Sequence, residues 1–212
     1  MGWSTGFLTE ERGQWRALAR RAAEHSTLAA ELSALSEPEL PGLVSYLFSD
    51  DALPFLFLSI HGPSKKRELP EAELVDILAD LQTKAEVVVL HPDAMHDVSQ
   101  YRRLGTFLAI ENMDSRKGTG HTVEQLEPIM AALPDARLCF DVAHAKDIDS
   151  SMHEGVRILD RWGDRLSHVH VSSLDSSCHH VSLTPEDERL FAPLLDRCRD
   201  VPWILEAAPL SS

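Results

Sequence analysis

Six short apolar runs in this chain each end on a residue type that ligates metals. They read FLFLSIHG, EVVVLHPD, FLAIENMD, RLCFDVAH, LSHVHVSS and PWILEAAP. Their closing residues are His61, His91, Glu111, Asp141, His170 and Glu206, with His144 a short step past Asp141. The spacings are 30, 20, 30, 29 and 36 residues, close to one strand plus one returning helix, since a βα unit takes roughly 30 residues. A repeated strand–helix unit with an imidazole or carboxylate at each carboxyl end predicts a compact (β/α)8 barrel with metal at its top face. A lone histidine at a strand end is more often hydrogen-bonded structure than a ligand. A series of them is different, because charged groups are costly to bury unless they are paired or coordinate a metal.

The segments between the runs carry helical periodicity. Leu74, Ile77, Leu78 and Leu81 share a face after Pro70, which suits a first helical turn. Thr122 with Gln125 reads as a capping box ahead of Leu126, Ile129, Met130 and Leu133. Val156, Leu159 and Trp162 make the next stripe, and Thr184 with Pro185 and Asp187 opens another. The runs themselves suit strands buried on both faces of a parallel sheet. Closing the barrel takes two further strands, expected at Gly2–Thr5, ahead of a helix capped by Thr9, and at Thr27–Leu32. No helical pattern follows Glu206, so the last helix is expected to be short or missing.

At 212 residues the chain is near the lower limit for an eight-unit barrel, where about 250 is typical. No linker or second domain is evident, so residues 1–212 are expected to form one domain. No apolar run approaches the roughly 20 residues that span a bilayer. The start, MGWSTGFLTEERG, lacks the pattern of a signal peptide. Three cysteines form no disulfide framework, and a cytoplasmic location is expected. A formal net charge of −14 repels polyanions, so a small-molecule substrate is expected rather than nucleic acid. A short C-terminus that leaves apolar barrel wall uncovered would favour a homodimer.

The segments AIENMD, CFDVAHA, HVHVSS and ILEA resemble strand ends of the xylose-isomerase-like barrels, a superfamily of sugar isomerases, sugar epimerases and related apurinic endonucleases. The similarity runs from about Trp3 to Glu206. It implies a central ligand quartet of Glu111, Asp141, His170 and Glu206. In the sugar branch such a quartet holds one Mn²⁺ or Mg²⁺, and two carboxylates, here Glu111 and Glu206, also serve as acid and base. The endonuclease branch implies more. His61, His91 and Glu111 would hold one metal, the quartet a second with Glu111 bridging, and His144 with His179 or His180 a third. That branch places an aspartate two residues before its last histidine, where this chain has Ser177 or Cys178. Two metals are therefore expected rather than three. Mixed oxygen and imidazole ligation suits Zn²⁺, Mn²⁺ or Fe²⁺, in one to three ions.

Other residues are candidates for substrate contact. Lys65 and Lys66, with Arg67, follow His61 and suit a phosphate grip, against the plainer reading of a solvated basic turn. Glu31, near the end of the second strand, is placed to touch a substrate hydroxyl or to stand as a rim charge. His168, separated from His170 by a single residue, is expected on the opposite side and not as a ligand. Asn112 is expected to brace a neighbouring strand end, and Asp97 and Asp147 to be loop or cap charges. The acidic chain and its short loops favour a metal-dependent isomerase or epimerase of a small sugar, sugar phosphate or related hydroxycarbonyl compound. A multinuclear-metal hydrolase of a phosphoester comes close behind, and a non-catalytic metal-binding barrel last.

Overall fold

A computed structural model describes residues 1–51, 53–65 and 67–208. Its strands are β1 (Gly2–Ser4), β2 (Ala29–Ser33), β3 (Phe57–His61), β4 (Val87–Leu90), β5 (Leu108–Glu111), β6 (Arg137–Asp141) and β7 (Leu166–Val171). A two-stranded antiparallel ribbon of β8 (Ser173–Leu174) and β9 (His180–Val181) follows, then β10 (Trp203–Leu205). β1 to β7 pair in sequence order, and β10 pairs with both β7 and β1, so the parallel sheet closes into an eight-stranded barrel. The sequence expectation of a (β/α)8 barrel holds.

The local chemistry explains the elements. All four residues of β4, three valines and a leucine, are buried, as a strand covered on both faces requires. The helices are α1 (Trp15–His25), α2 (Leu40–Leu47), α3 (Glu71–Asp80), α4 (Val123–Ala132), α5 (Val142–Ile148), α6 (His153–Trp162) and α7 (Pro185–Leu195). Their apolar stripes and the outward faces of the strands form the main core, with Leu18, Leu74, Tyr101, Phe140 and Phe191 fully buried. Inside the barrel a small floor of Val87, Val89, Ala109 and Cys139, with Phe57 against it, underlies the top face. The return from β4 to β5 carries no α-helix. A 3₁₀ segment, Val98–Phe107, takes its place and breaks at Gly105, whose φ of +53° favours glycine.

Several boundary expectations are corrected. The first strand stops at Ser4, and the second runs Ala29–Ser33, shifted from Thr27–Leu32. Thr9 opens only a 3₁₀ turn, while α1 starts at Trp15 without a side-chain cap. Thr122 precedes α4 but makes no cap bond. Gln125 accepts from the His121 N–H at 2.8 Å, and Glu154 reaches across to accept from the Val123 N–H at 2.7 Å. Tertiary partners thus replace the local capping box. Thr184 does cap α7, accepting from the Asp187 N–H. After β10 no helix follows among the described residues, and no described helix is long and apolar enough to cross a membrane.

Candidate metal centre

Parallel pairing brings every strand's carboxyl end to one mouth, and the pleat decides which side chains enter it. His61, Glu111 and Asp141 close β3, β5 and β6; His170 lies next to the end of β7; His91 and Glu206 follow β4 and β10 directly. Glu111 stands at the centre of the group. Its Oε2 lies 3.2 Å from His61 Nε2 and 3.1 Å from His91 Nε2, and those two nitrogens are 3.2 Å apart. Its Oε1 lies 3.1 Å from His170 Nδ1, which is itself 3.4 Å from Glu206 Oε1. Asp141 joins Glu111, His170 and Glu206 as a group able to share one ion.

These residues fit a metal on two independent grounds. Donors bound tetrahedrally at about 2.0–2.1 Å lie about 3.3 Å from one another, and the triangle of His61, His91 and Glu111 has nearly those edges. The second ground is polar atoms buried without a hydrogen bond to the protein, which are rare unless a bound group satisfies them. Asp141 Oδ2, His144 Nε2 and Glu206 Oε2 are all in that state here.

The electrostatics point the same way. Burial works to raise Glu111, but the imidazoles of His170 and His91 outweigh it and hold the carboxyl well below its usual range. Glu206 goes the other way. Burial, with the Asp141 and Glu111 carboxylates beside it, pushes it well up against the pull of His170. Burial depresses His91 to about 4, so its imidazole is neutral and able to ligate. Burial works to lower His170, but Cys139 and the Glu206, Glu31 and Glu111 carboxylates push it well above its usual value, and a bound cation would take over that balancing charge.

Beneath this layer sits a second one, which corrects two expectations. Glu31 is fully buried and does not line the mouth. The strand register explains its depth: Ser33, not Glu31, pairs with His61, and Glu31 pairs with Ser59 one pleat lower. Its Oε2 lies 3.1 Å from His170 Nε2 and accepts from Ser59 Oγ at 3.0 Å, while Oε1 accepts from Ser4 Oγ at 3.2 Å. Glu31 therefore fixes the His170 ring from below rather than touching a substrate. His168 also faces inward, its ring 5.1 Å from that of His170, with Nε2 3.4 Å from Cys139 Sγ and 3.5 Å from Glu31. Residues two apart along a strand share a face, so His168 belongs to the inner layer. Asn112 braces β6 as expected: its amide donates to the Asp141 carbonyl and accepts from the Asp141 N–H, both at 2.8 Å.

At the edge of the mouth, His144 and His180 join Asp141 in a third group. His179 does not. Its side chain is 71% exposed and sits 3.5 Å from Asp175. Cys178 turns its thiol to Asp147 Oδ1 at 3.5 Å, so Asp147, which also accepts from the Ser115 N–H, is more than a loose cap charge. Asp114 was not singled out in the sequence, although AIENMD ends on it. It is buried, with Oδ2 3.5 Å from His144 Nε2.

A cavity of about 400 Å³ opens over the centre, and Lys65, Arg116 and Lys117 stand on its wall. Lys66 lies outside the described residues. Arg67 turns inward instead of toward the cavity. It bonds Glu37 at 2.6 Å, Glu71 at 2.7 Å and the Ala94 carbonyl at 2.6 Å, so for Arg67 neither the phosphate grip nor the solvated basic turn holds.

No family model and no curated protein matches the chain. Solved structures do. A family 2 AP endonuclease from Brucella melitensis superposes with a TM-score of 0.59 at 15% identity, covering 100% of this chain and 95% of that one. A xylose isomerase domain containing protein from Salmonella typhimurium gives 0.59 at 14%, covering 99% and 88%. The 3-keto-D-glucoside 4-epimerase of E. coli gives 0.55 at 13%, covering 92% and 87%. At these identities the superpositions show a shared TIM-barrel fold.

Proposed function

We propose that this protein is an enzyme that hydrolyses a small phosphoester with two or more divalent cations bound at the barrel mouth. The observation that carries this reading is the convergence of His61 and His91 on the same oxygen of Glu111, within 3.2 Å. Glu111 meanwhile offers its other oxygen to the quartet side. One carboxylate shared between two donor groups is the arrangement that holds two cations side by side. The expected preference for an isomerase or epimerase rested on an acidic chain and short loops. The packed imidazole pair shifts the balance, because single-cation proton transfer leaves those two histidines without a task.

Zinc, manganese or iron suits the donor set. Such ions, when bound, activate water and neutralise the leaving oxygen. The chain's own residues do the rest. His61 and His91 hold Glu111 in place, and Glu31 orients His170. Glu206, a member of the quartet, stands at the mouth, where its carboxylate oxygen Oε2, without a hydrogen bond to the protein, can pass a proton. Lys65, Arg116 and Lys117 on the wall give an anionic substrate its counter-charges. The net charge of −14 supports a small substrate over a duplex.

A second reading, an isomerase or epimerase of a small sugar-like compound, is favoured by the quartet itself, which sets Glu111 and Glu206 against one cation position. Turnover of a nitrophenyl phosphodiester by metal-loaded protein separates the two. Hydrolysis that falls at least about 100-fold in His61→Ala and His91→Ala supports the proposal. Absence of phosphoesterase turnover, with sugar isomerisation surviving both substitutions, sinks it.

A further inference from the structure

The histidines that turn into the mouth each have one ring nitrogen anchored by the surrounding protein, except His91. His61 Nδ1 lies 2.9 Å from the Gly62 carbonyl and His144 Nδ1 2.9 Å from the Asn112 carbonyl. His170 Nε2 lies 3.1 Å from Glu31 Oε2, and His180 Nδ1 2.7 Å from Ser172 Oγ. His91 turns Nε2 to His61 Nε2 at 3.2 Å and to Glu111 Oε2 at 3.1 Å, while its Nδ1 is buried and makes no hydrogen bond. Asp93 Oδ1 stands 3.9 Å from that nitrogen and is itself buried without a hydrogen bond. Buried polar atoms in that state are rare. Here two of them, a ring nitrogen and a carboxylate oxygen, face each other just beyond bonding range.

We propose that Asp93 is the positioning residue of His91, its carboxylate accepting the Nδ1 hydrogen when Nε2 holds a cation. The inference deepens the cation-based reading above and rests on it. A ring nitrogen that ligates carries no hydrogen, so the single hydrogen of the neutral imidazole is then on Nδ1. That hydrogen points into a buried space, where Asp93 Oδ1 is the acceptor without a donor. A carboxylate behind a ligating imidazole fixes the ring and strengthens it as a ligand. His61 has only a neutral carbonyl in that place, so His91 is the better supported of the two histidines on Glu111 Oε2.

The local chain keeps Asp93 within reach. His91 follows β4 and leads straight into a 3₁₀ turn, Pro92–Ala94. Pro92 locks its own φ, and the Ala94 N–H donates back to the His91 carbonyl at 3.1 Å. The backbone between the two side chains is thereby closed, and side-chain movement alone completes the contact. The gap to cover is about 1 Å, from 3.9 Å to an ordinary bond of about 2.9 Å. Asp93 Oδ2 is engaged separately, 3.3 Å from Lys117 Nζ. Lys117 comes from the loop after β5, the strand that ends on Glu111. It steadies the carboxylate and leaves Oδ1 free for His91.

The test reads metal binding and a ring proton, not turnover. Zinc affinity is measured by competition with a chromophoric chelator on wild type, Asp93→Ala and Asp93→Asn. Asp93→Ala is expected to weaken one zinc equivalent about 10–100-fold and to leave the other unchanged. Asp93→Asn keeps an acceptor oxygen and is expected to lose less. The metal-free Asp93→Ala protein is expected to melt close to metal-free wild type. In isotopically labelled protein, zinc is expected to bring out a slowly exchanging N–H on His91 Nδ1 that is missing in Asp93→Ala. Unchanged affinity in Asp93→Ala overturns the inference, as does a ring N–H that survives the substitution. An equal loss at every bound equivalent would assign the effect to loop order and also refute it. If metal-free Asp93→Ala melts well below wild type, Asp93→Asn decides. A smaller loss of zinc affinity together with a displaced His91 N–H supports the inference, and anything short of both overturns it. Wild-type protein that binds no zinc sinks the cation-based reading and this inference with it. Zinc binding that is intact in wild type and indifferent to Asp93 sinks the inference alone.

Discussion

Replacing Arg67 with methionine separates a structural cation from a substrate-binding one. The guanidinium is 3% exposed and ties together Glu37, Glu71, the Tyr101 hydroxyl and the Ala94 carbonyl. Methionine keeps much of the volume but leaves Glu37 and Glu71 buried with no cation. Removing one partner of a buried ion pair costs about 3–5 kcal/mol. For a chain of this length each kcal/mol moves the melting temperature by about 2–4 °C, so a drop of about 6–20 °C is expected by circular dichroism. The pH dependence adds a sign. Burial works to raise Glu37 and Glu71, but Arg67, with Tyr101 at Glu71, holds both below their usual range. Their contribution is complete above the unfolded carboxylate value of about 4.3 and is lost as pH falls through the depressed folded values. The deficit of Arg67→Met should therefore be largest near neutral pH and shrink below about pH 4. A melting temperature within a few degrees of wild type, together with a raised KM for an anionic substrate, would refute the structural role and restore Arg67 to the cavity.

Two further substitutions probe the layers beneath the mouth. Glu31→Gln keeps the shape under His170 but removes the charge that fixes its ring, and metal affinity should fall about 10–100-fold; unchanged affinity in a competition titration would mean that His170 needs no orienting partner. Asn112→Ala strips the hydrogen bonds from both the N–H and the carbonyl of buried Asp141. The expected loss in urea unfolding is about 2–4 kcal/mol, and a loss below about 1 kcal/mol would show that the β6 end holds its shape unaided.

The barrel was legible because its strands are buried on both faces and so read as continuous apolar runs, each closed by a polar residue. The ligand set was legible for the same reason: β3, β5 and β6 end on His61, Glu111 and Asp141 themselves. Depth was less legible. Whether Glu31 lies at the rim or one layer down depends on how β2 registers against β3, which no local pattern encodes. Strand parity, applied correctly, places His168 beside His170 on the inner face. The position after Cys178 depends on a short ribbon: His179 lies in the turn ahead of β9 and is exposed, while His180 opens β9 and joins the group at the mouth. Caps were lost to tertiary competition, since Glu154 and Gln125 reach the start of α4 where Thr122 does not. Asp114 sits three residues past Glu111 in an irregular loop, where neither period 2 nor period 3.6 flags a buried carboxylate.

The central claim is that Glu111 joins two cation positions and that both are needed for hydrolysis. Stepwise addition of Zn²⁺ or Mn²⁺ to metal-free protein, with nitrophenyl phosphodiester turnover recorded at each step, tests it most directly. Turnover should stay near background through the first bound equivalent and rise as the second binds. Binding that saturates at one equivalent, or full turnover reached at one, would contradict the account.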